Sequence, residues 1–162
     1  MELSKILNQN RVAVDVNLTS KKGVLETLAG MLSSAEATLN SRAIFDCLLA
    51  RERLGTTGLG GGIAIPNGRI ANNGEAIGAF IRTVDPVEFD AVDNAPVDIF
   101  FALCVPEEAT DEHLGLLSEL AANFSDSRFV ANLRRFSSAF EVYELSLIHI
   151  SEPTRRYAIS YA

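Results

Sequence analysis

The chain has 162 residues, is 48% hydrophobic and 22% charged, and carries a formal net charge of -7. That length fits one domain with a core of its own, and the acidic balance counts against a nucleic-acid partner held through its phosphates. No apolar run reaches the ~18 residues that would span a bilayer, and the start Met1-Glu2-Leu3-Ser4-Lys5 lacks the basic and apolar parts of a signal peptide, so a cytoplasmic protein with no membrane contact is expected.

Leu3, Ile6 and Leu7 share one face of a short helix. Val12, Val14 and Val16 alternate with Ala13 and Asp15, the pattern of a strand with one face buried. Ser20 can cap a helix whose apolar positions are Val24, Leu25, Leu28, Met31 and Leu32. Asn40 or Ser41 can cap the next, with the stripe Ile44, Phe45, Leu48 and Leu49, and Gly55 ends it. Arg51 and Arg53 fall in its last turn, where they complement the negative end of the helix dipole.

Five of the chain's eleven glycines follow within eight residues: Gly55, Gly58, Gly60, Gly61 and Gly62. That density suits a loop whose backbone takes unusual angles or approaches something closely, and equally a flexible connection between helix and strand. Residues 63–65 read as a buried strand, Pro66-Asn67-Gly68 as a sharp turn and Asn72-Asn73-Gly74 as another. Alternation predicts a strand over residues 76–84, and residues 87–89 form a brief extended piece before the Asp93-Asn94 turn. Residues 97–105 are apolar apart from Asp98 and stop at Pro106, as a central strand covered on both faces would.

Thr110 or Asp111 can cap a helix bearing Leu114, Leu117, Leu120, Ala121 and Phe124. Another holds Phe129, Val130, Leu133 and Phe136. Ser138-Ala139-Phe140-Glu141 fits a capping box that opens a last helix through Val142, Tyr143 and Leu145. Strands interleaved with helices predict an α/β domain over residues 1–145, layered, with a mixed sheet flanked by helices. Residues 146–162 are set apart as a tail without amphipathic period. They resemble the translation of a sequencing-adapter read-through rather than native sequence, and Pro153 would break a helix there. His149, in that tail, is assigned no role.

Cys47 and Cys104 sit in apolar runs, as small core residues rather than ligands or a disulfide. Asp85, Glu88, Asp90 and Asp93 are spaced as a solvated acidic face with no ligand pattern, so neither a metal nor a cofactor is expected.

Residues 51–69 read R-E-R-L-G-T-T-G-L-G-G-G-I-A-I-P-N-G-R. This segment resembles the active-site stretch of enzyme IIA domains of the fructose–mannitol class, from the bacterial phosphoenolpyruvate-dependent phosphotransferase system, and within that class the nitrogen-regulatory branch. The resemblance runs over residues 3–145 and implies the same layered α/β fold. It also implies that a histidine-containing phosphocarrier protein passes a phosphoryl group to a histidine between the proline and the following glycine. Here that position is Asn67. Imidazole presents an unprotonated ring nitrogen near neutral pH, whereas the nitrogen lone pair of a carboxamide is delocalised.

The resemblance thus implies a regulatory pseudoenzyme that docks the phosphocarrier protein and regulated proteins such as kinases or transporters. The alternative is an active phosphocarrier subunit, because one base change converts a histidine codon to an asparagine codon. By the same resemblance His113 lies close to the acceptor and assists anion binding or transfer, and Arg51 holds phosphate oxygens with its fork. Gly60, Gly62 and Gly68 form the anion-binding loop. Each residue also has a plain structural reading: a Pro-Asn-Gly turn, a helical histidine, an arginine at a helix end.

Overall fold

The structure is a computed structural model and describes residues 5–71 and 74–151. In chain order the elements are β1 (Val12–Val16), α1 (Lys21–Ser33), α2 (Ser41–Leu54), β2 (Gly58–Gly60), β3 (Ile63–Ala64), β4 (Asn67–Ile70), β5 (Ile77–Val87), β6 (Val97–Pro106), α3 (Asp111–Phe124), α4 (Ser127–Arg135) and α5 (Ala139–Ser151). A 3-10 turn, Gln9–Arg11, leads into β1.

The run of apolar residues in β6 makes it the centre of a mixed six-stranded sheet. β5 pairs with it antiparallel, from Ile77 opposite Cys104 to Arg82 opposite Ile99. β1 extends that side, parallel to β5. On the other side β3 and β4 run parallel to successive lengths of β6, and β2 lies antiparallel to β3 at the edge. Pleating sends alternate side chains of β6 to opposite faces. Ile99, Phe101, Leu103 and Val105 join the cluster with α3, α4 and α5, while Phe100, Ala102 and Cys104 join the one with α1 and α2. Phe80, Phe89, Phe100, Phe101 and Phe129 are among the largest fully buried side chains, and burying each is worth about 1.5–3 kcal/mol.

The expected caps form as read. Ser20, Asn40 and Thr110 accept from Gly23, Ala43 and His113 backbone N–H groups, and Ser138 Oγ accepts from Glu141 N. Arg82, buried in β5, donates to the carbonyls of Leu133 and Phe136 and pairs with Asp15 at 3.1 Å, so it caps the C-terminus of α4 from the sheet.

Several boundaries differ from the sequence reading. The strand expected over residues 76–84 runs on as β5 from Ile77 to Val87, into the start of the piece expected over 87–89, and it carries a register shift between Arg82 and Val87. The strand expected over 63–65 ends at Ala64, ahead of Pro66. Gly55 does end α2, but at φ 165°, an extended backbone that any residue adopts; a left-handed glycine is not the reason. The last helix, expected through Leu145, runs on to Ser151, with Ser146 1% exposed and Leu147 packed on the core. Leu3 and the Asn72-Asn73 part of the second turn lie outside the described residues, as do residues 152–162.

Candidate functional site

β3 and β4 lie end to end along β6: Ile63 is opposite Ile99, Asn67 opposite Leu103. Between them Ile65-Pro66 interrupts the strand. Pro66 has no N–H, but its carbonyl accepts from Leu103 N at 2.9 Å. Ile65 turns its N–H to Thr57 O at 3.0 Å. Its carbonyl accepts from Asn67 Nδ2 at 2.8 Å. The carboxamide is thereby held by its nitrogen, and Oδ1 is the acceptor that remains. The next residue is glycine, and a Cβ at 68 would stand 2.5 Å from Cys47 Sγ on α2, so that thiol would have to shift. Alternation along β4 then sends Asn67 to the opposite face, the one covered by α3.

The end of α2 leads into the glycine stretch. Arg51 Nη1 donates to Gly55 O at 2.8 Å and closes its own helix end. The next residue, Glu52, is 6% exposed. Oε2 accepts from Thr57 N at 3.0 Å, Oε1 from Thr57 Oγ1 at 2.5 Å, and Lys21 Nζ pairs with the carboxylate at 3.0 Å. Lys21 also donates to Phe89 O and lies 4.7 Å from the centroid of its ring. Sequence reading did not single out Glu52. The signal was present: a carboxylate in the last turn of a helix opposes the dipole, and it needs specific partners to be buried there.

Gly58 presses on Ala91, whose Cα would lie 2.9 Å from an added Cβ. Gly60, Gly61 and Gly62, at φ 97°, 66° and 81°, make the turn between β2 and β3. Asp93 accepts from Gly61 N at 3.0 Å and from Ala95 N at 3.1 Å, and these bonds hold its carboxyl below the ordinary carboxylate range. Arg134 of α4 donates to Gly61 O at 2.8 Å and grips the Asp98 carboxylate at both oxygens. Asp98 N in turn donates to Gly62 O, whereas Gly68 is opposite Cys104. Those two levels are six residues apart on β6, roughly 20 Å at the rise of a strand. Gly60 and Gly62 therefore stand apart from Gly68 along the sheet. The first two serve the turn, the third the contact with α2.

His113 occupies the first turn of α3. Its N–H donates to Thr110 Oγ1 at 3.4 Å, and its Nδ1 accepts from Thr110 N at 3.3 Å, so the histidine takes the part usually played by Glu or Gln in a capping box. With Nδ1 as acceptor, Nε2 is the ring's donor. The residue is 9% exposed and borders a cleft of about 140 Å³ lined also by Lys5, Ile6, Gly74, Glu75 and Ala76. Asn67 is not part of that lining. The structure thus gives Asn67 and His113 one face of the sheet and Arg51 a place at the end of α2, on a carbonyl of its own segment.

Both thiols are reduced. Burial pushes Cys104 up to about 12 and also raises Cys47, whose Sγ donates to Arg69 O at 3.0 Å. Among the described residues no three His, Cys, Asp or Glu side chains are grouped to hold a metal ion. No helix among them is long and apolar enough to cross a membrane.

Residues 5–147 match the family model described as phosphoenolpyruvate-dependent sugar phosphotransferase system, EIIA 2. The nitrogen regulatory protein of Klebsiella oxytoca is 40% identical over 146 residues, covering 90% of this chain and 90% of that protein. Its counterpart in Pseudomonas aeruginosa is 41% identical over 145 residues, with 90% and 94% covered. The crystal structure of nitrogen regulatory protein IIA-Ntr from Neisseria meningitidis superposes with a TM-score of 0.83 at 45% identity, covering 88% of this chain and 97% of that one.

Proposed function

The chain belongs to the EIIA 2 family of the phosphoenolpyruvate-dependent sugar phosphotransferase system, and from that membership we propose that it is a nitrogen-regulatory type of enzyme IIA that does not take phosphate at position 67. The observation that carries this reading is the side chain of Asn67. Its Nδ2 donates to Ile65 O at 2.8 Å, which is the bond a histidine would make with Nδ1–H while leaving Nε2 free to attack. Asparagine supplies the same anchoring donor, but what it leaves free is an amide oxygen, a neutral acceptor and no nucleophile. The surface around position 67 therefore keeps the charge and hydrogen-bonding sense of an unphosphorylated acceptor at all times.

A protein held in that state acts by docking. Its partners on this reading are the histidine-containing phosphocarrier protein and regulated cytoplasmic proteins such as kinases or transporters. Arg51 and His113 would serve the phosphoryl oxygens only by turning toward position 67. Arg51 would give up Gly55 O to do so, while His113 already has Nε2 as a donor on the right face.

The alternative, an active phosphocarrier with histidine at 67 in the native gene, draws on the same geometry, because Ile65 O is placed to orient an imidazole. Sequencing the codon decides between them.

Transfer of label from phosphoenolpyruvate through the upstream proteins tests the function directly. The natural chain should stay unlabelled and Asn67→His should take label, at least in part, since a positioning error of ~1 Å costs about a hundredfold in rate. Label on the natural chain would overturn the reading. A folded but unlabelled Asn67→His variant would show that more than the nucleophile has been lost.

A further inference from the structure

Glu52 is the one buried carboxylate among the described residues' fully or nearly buried side chains, and it lies in the segment that positions residue 67. Both of its oxygens accept from the same residue, Thr57, one from the backbone N–H at 3.0 Å and one from the hydroxyl at 2.5 Å. Thr57 itself is 4% exposed. Thr57 O accepts from Ile65 N at 3.0 Å, and Ile65 O accepts from Asn67 Nδ2 at 2.8 Å. These bonds form an unbroken path from the Lys21–Glu52 ion pair to the side chain at 67.

We propose that Glu52 is a positioning residue for position 67, acting through Thr57 and Ile65; this rests on the reading of 67 as the family's acceptor position. The physical case has two parts. Charge-assisted hydrogen bonds are shorter and stronger than neutral ones, so an ionised carboxylate fixes Thr57 more firmly than a solvent-facing turn would be fixed. Between β3 and β4 the sheet holds only the Pro66 carbonyl, through Leu103 N, since Pro66 has no N–H to offer; the Ile65 N–H is held instead by Thr57, just ahead of β2. The direction of the Ile65 carbonyl, and with it the side chain at 67, therefore follows Thr57. Lys21 meets the charge of Glu52 from α1, and Arg51, one residue earlier, is left to its own helix end.

The test uses the full chain, natural and Asn67→His, each with Glu52→Gln or Thr57→Val. Glu52→Gln keeps the size and loses the charge; Thr57→Val loses the 2.5 Å bond and keeps the N–H. In the natural background we expect Ile65 N–H exchange to quicken about tenfold or more relative to Phe101 N–H on β6, and the Asn67 carboxamide resonances to move. In the Asn67→His background the imidazole should lose a fixed Nδ1–H tautomer by nitrogen chemical shift. Its kcat for phosphoryl transfer should fall about ten- to a hundredfold with KM unchanged.

Unchanged Ile65 exchange and Asn67 resonances in folded Glu52→Gln would overturn the proposal. So would a uniform loss of protection across the sheet, or failure of both variants to fold, since Glu52 would then be an anchor of the fold and nothing more. If Asn67→His takes no label yet the resonances respond as expected, the acceptor reading fails and the positioning role stands.

Discussion

Gly58 and Gly30 show how differently two glycines are used. At Gly58 a Cβ would come within 2.9 Å of the Ala91 backbone, and backbone cannot step aside as a flexible side chain can. Gly58→Ala should therefore destabilise the fold by about 1–3 kcal/mol, the usual cost of overpacking. Gly30 lies exposed inside α1 with nothing within 4 Å of the added atom, and Gly30→Ala should stabilise by up to about 1 kcal/mol because alanine suits a helix better. Thermal or denaturant unfolding of the two variants side by side checks both signs. If Gly58→Ala is neutral, β2 has room to move, and the dense glycines near it are not explained by close packing.

Among the elements, α5 departs most from the pattern its sequence suggested. Leu147 packs against the cluster that contains Val142 and Leu133, and Ser146 is buried. A chain ending at Leu145 loses both residues and the last backbone bonds of the helix. Its urea midpoint should fall, by an amount equal to about 1–2 kcal/mol at an unchanged slope, because the buried apolar area is modest. An unchanged midpoint would mean that the turn after Leu145 adds no stability. The same helix layer depends on Arg82, which reaches from β5 to the last carbonyls of α4; an arginine there joins sheet and helix where an apolar side chain would leave those carbonyls without a donor.

At the scale of the whole molecule, both faces of β6 are covered, and Cys104 records that enclosure. Its thiol is pushed from the ordinary 9.0 up to about 12 by burial. An acid whose folded value is raised holds its proton in the native state after the unfolded chain has released it. Its contribution is complete below the unfolded value, the ordinary 9.0, and is lost as pH climbs toward about 12. Denaturant midpoints should decline over that window. Cys104→Ala should start lower at pH 8, because it opens a cavity, and then decline less steeply. Parallel declines in the two proteins would show that other groups carry the alkaline loss.

The architecture could be read from sequence because it rests on short-range rules. Period, caps and the apolar run of residues 97–105 are local; the caps and that central strand formed where the residues implied, while several other element ends shifted. That Asn67 stands where the resemblance implies a histidine was legible for the same reason, as one residue inside the stretch of residues 51–69. Other features were decided only when distant segments met. Glu52 became a buried partner of Thr57 because α1 brought Lys21 to it. Gly60 and Gly62 separated from Gly68 because β3 and β4 pair with different lengths of β6, so eight residues of sequence became two ends of a sheet. Gly68 is constrained by Cys47, and Gly58 by Ala91. A glycine shows in sequence only that a side chain is missing; which atom fills the space comes from a chain segment that sequence order does not reveal, because tertiary packing selects it.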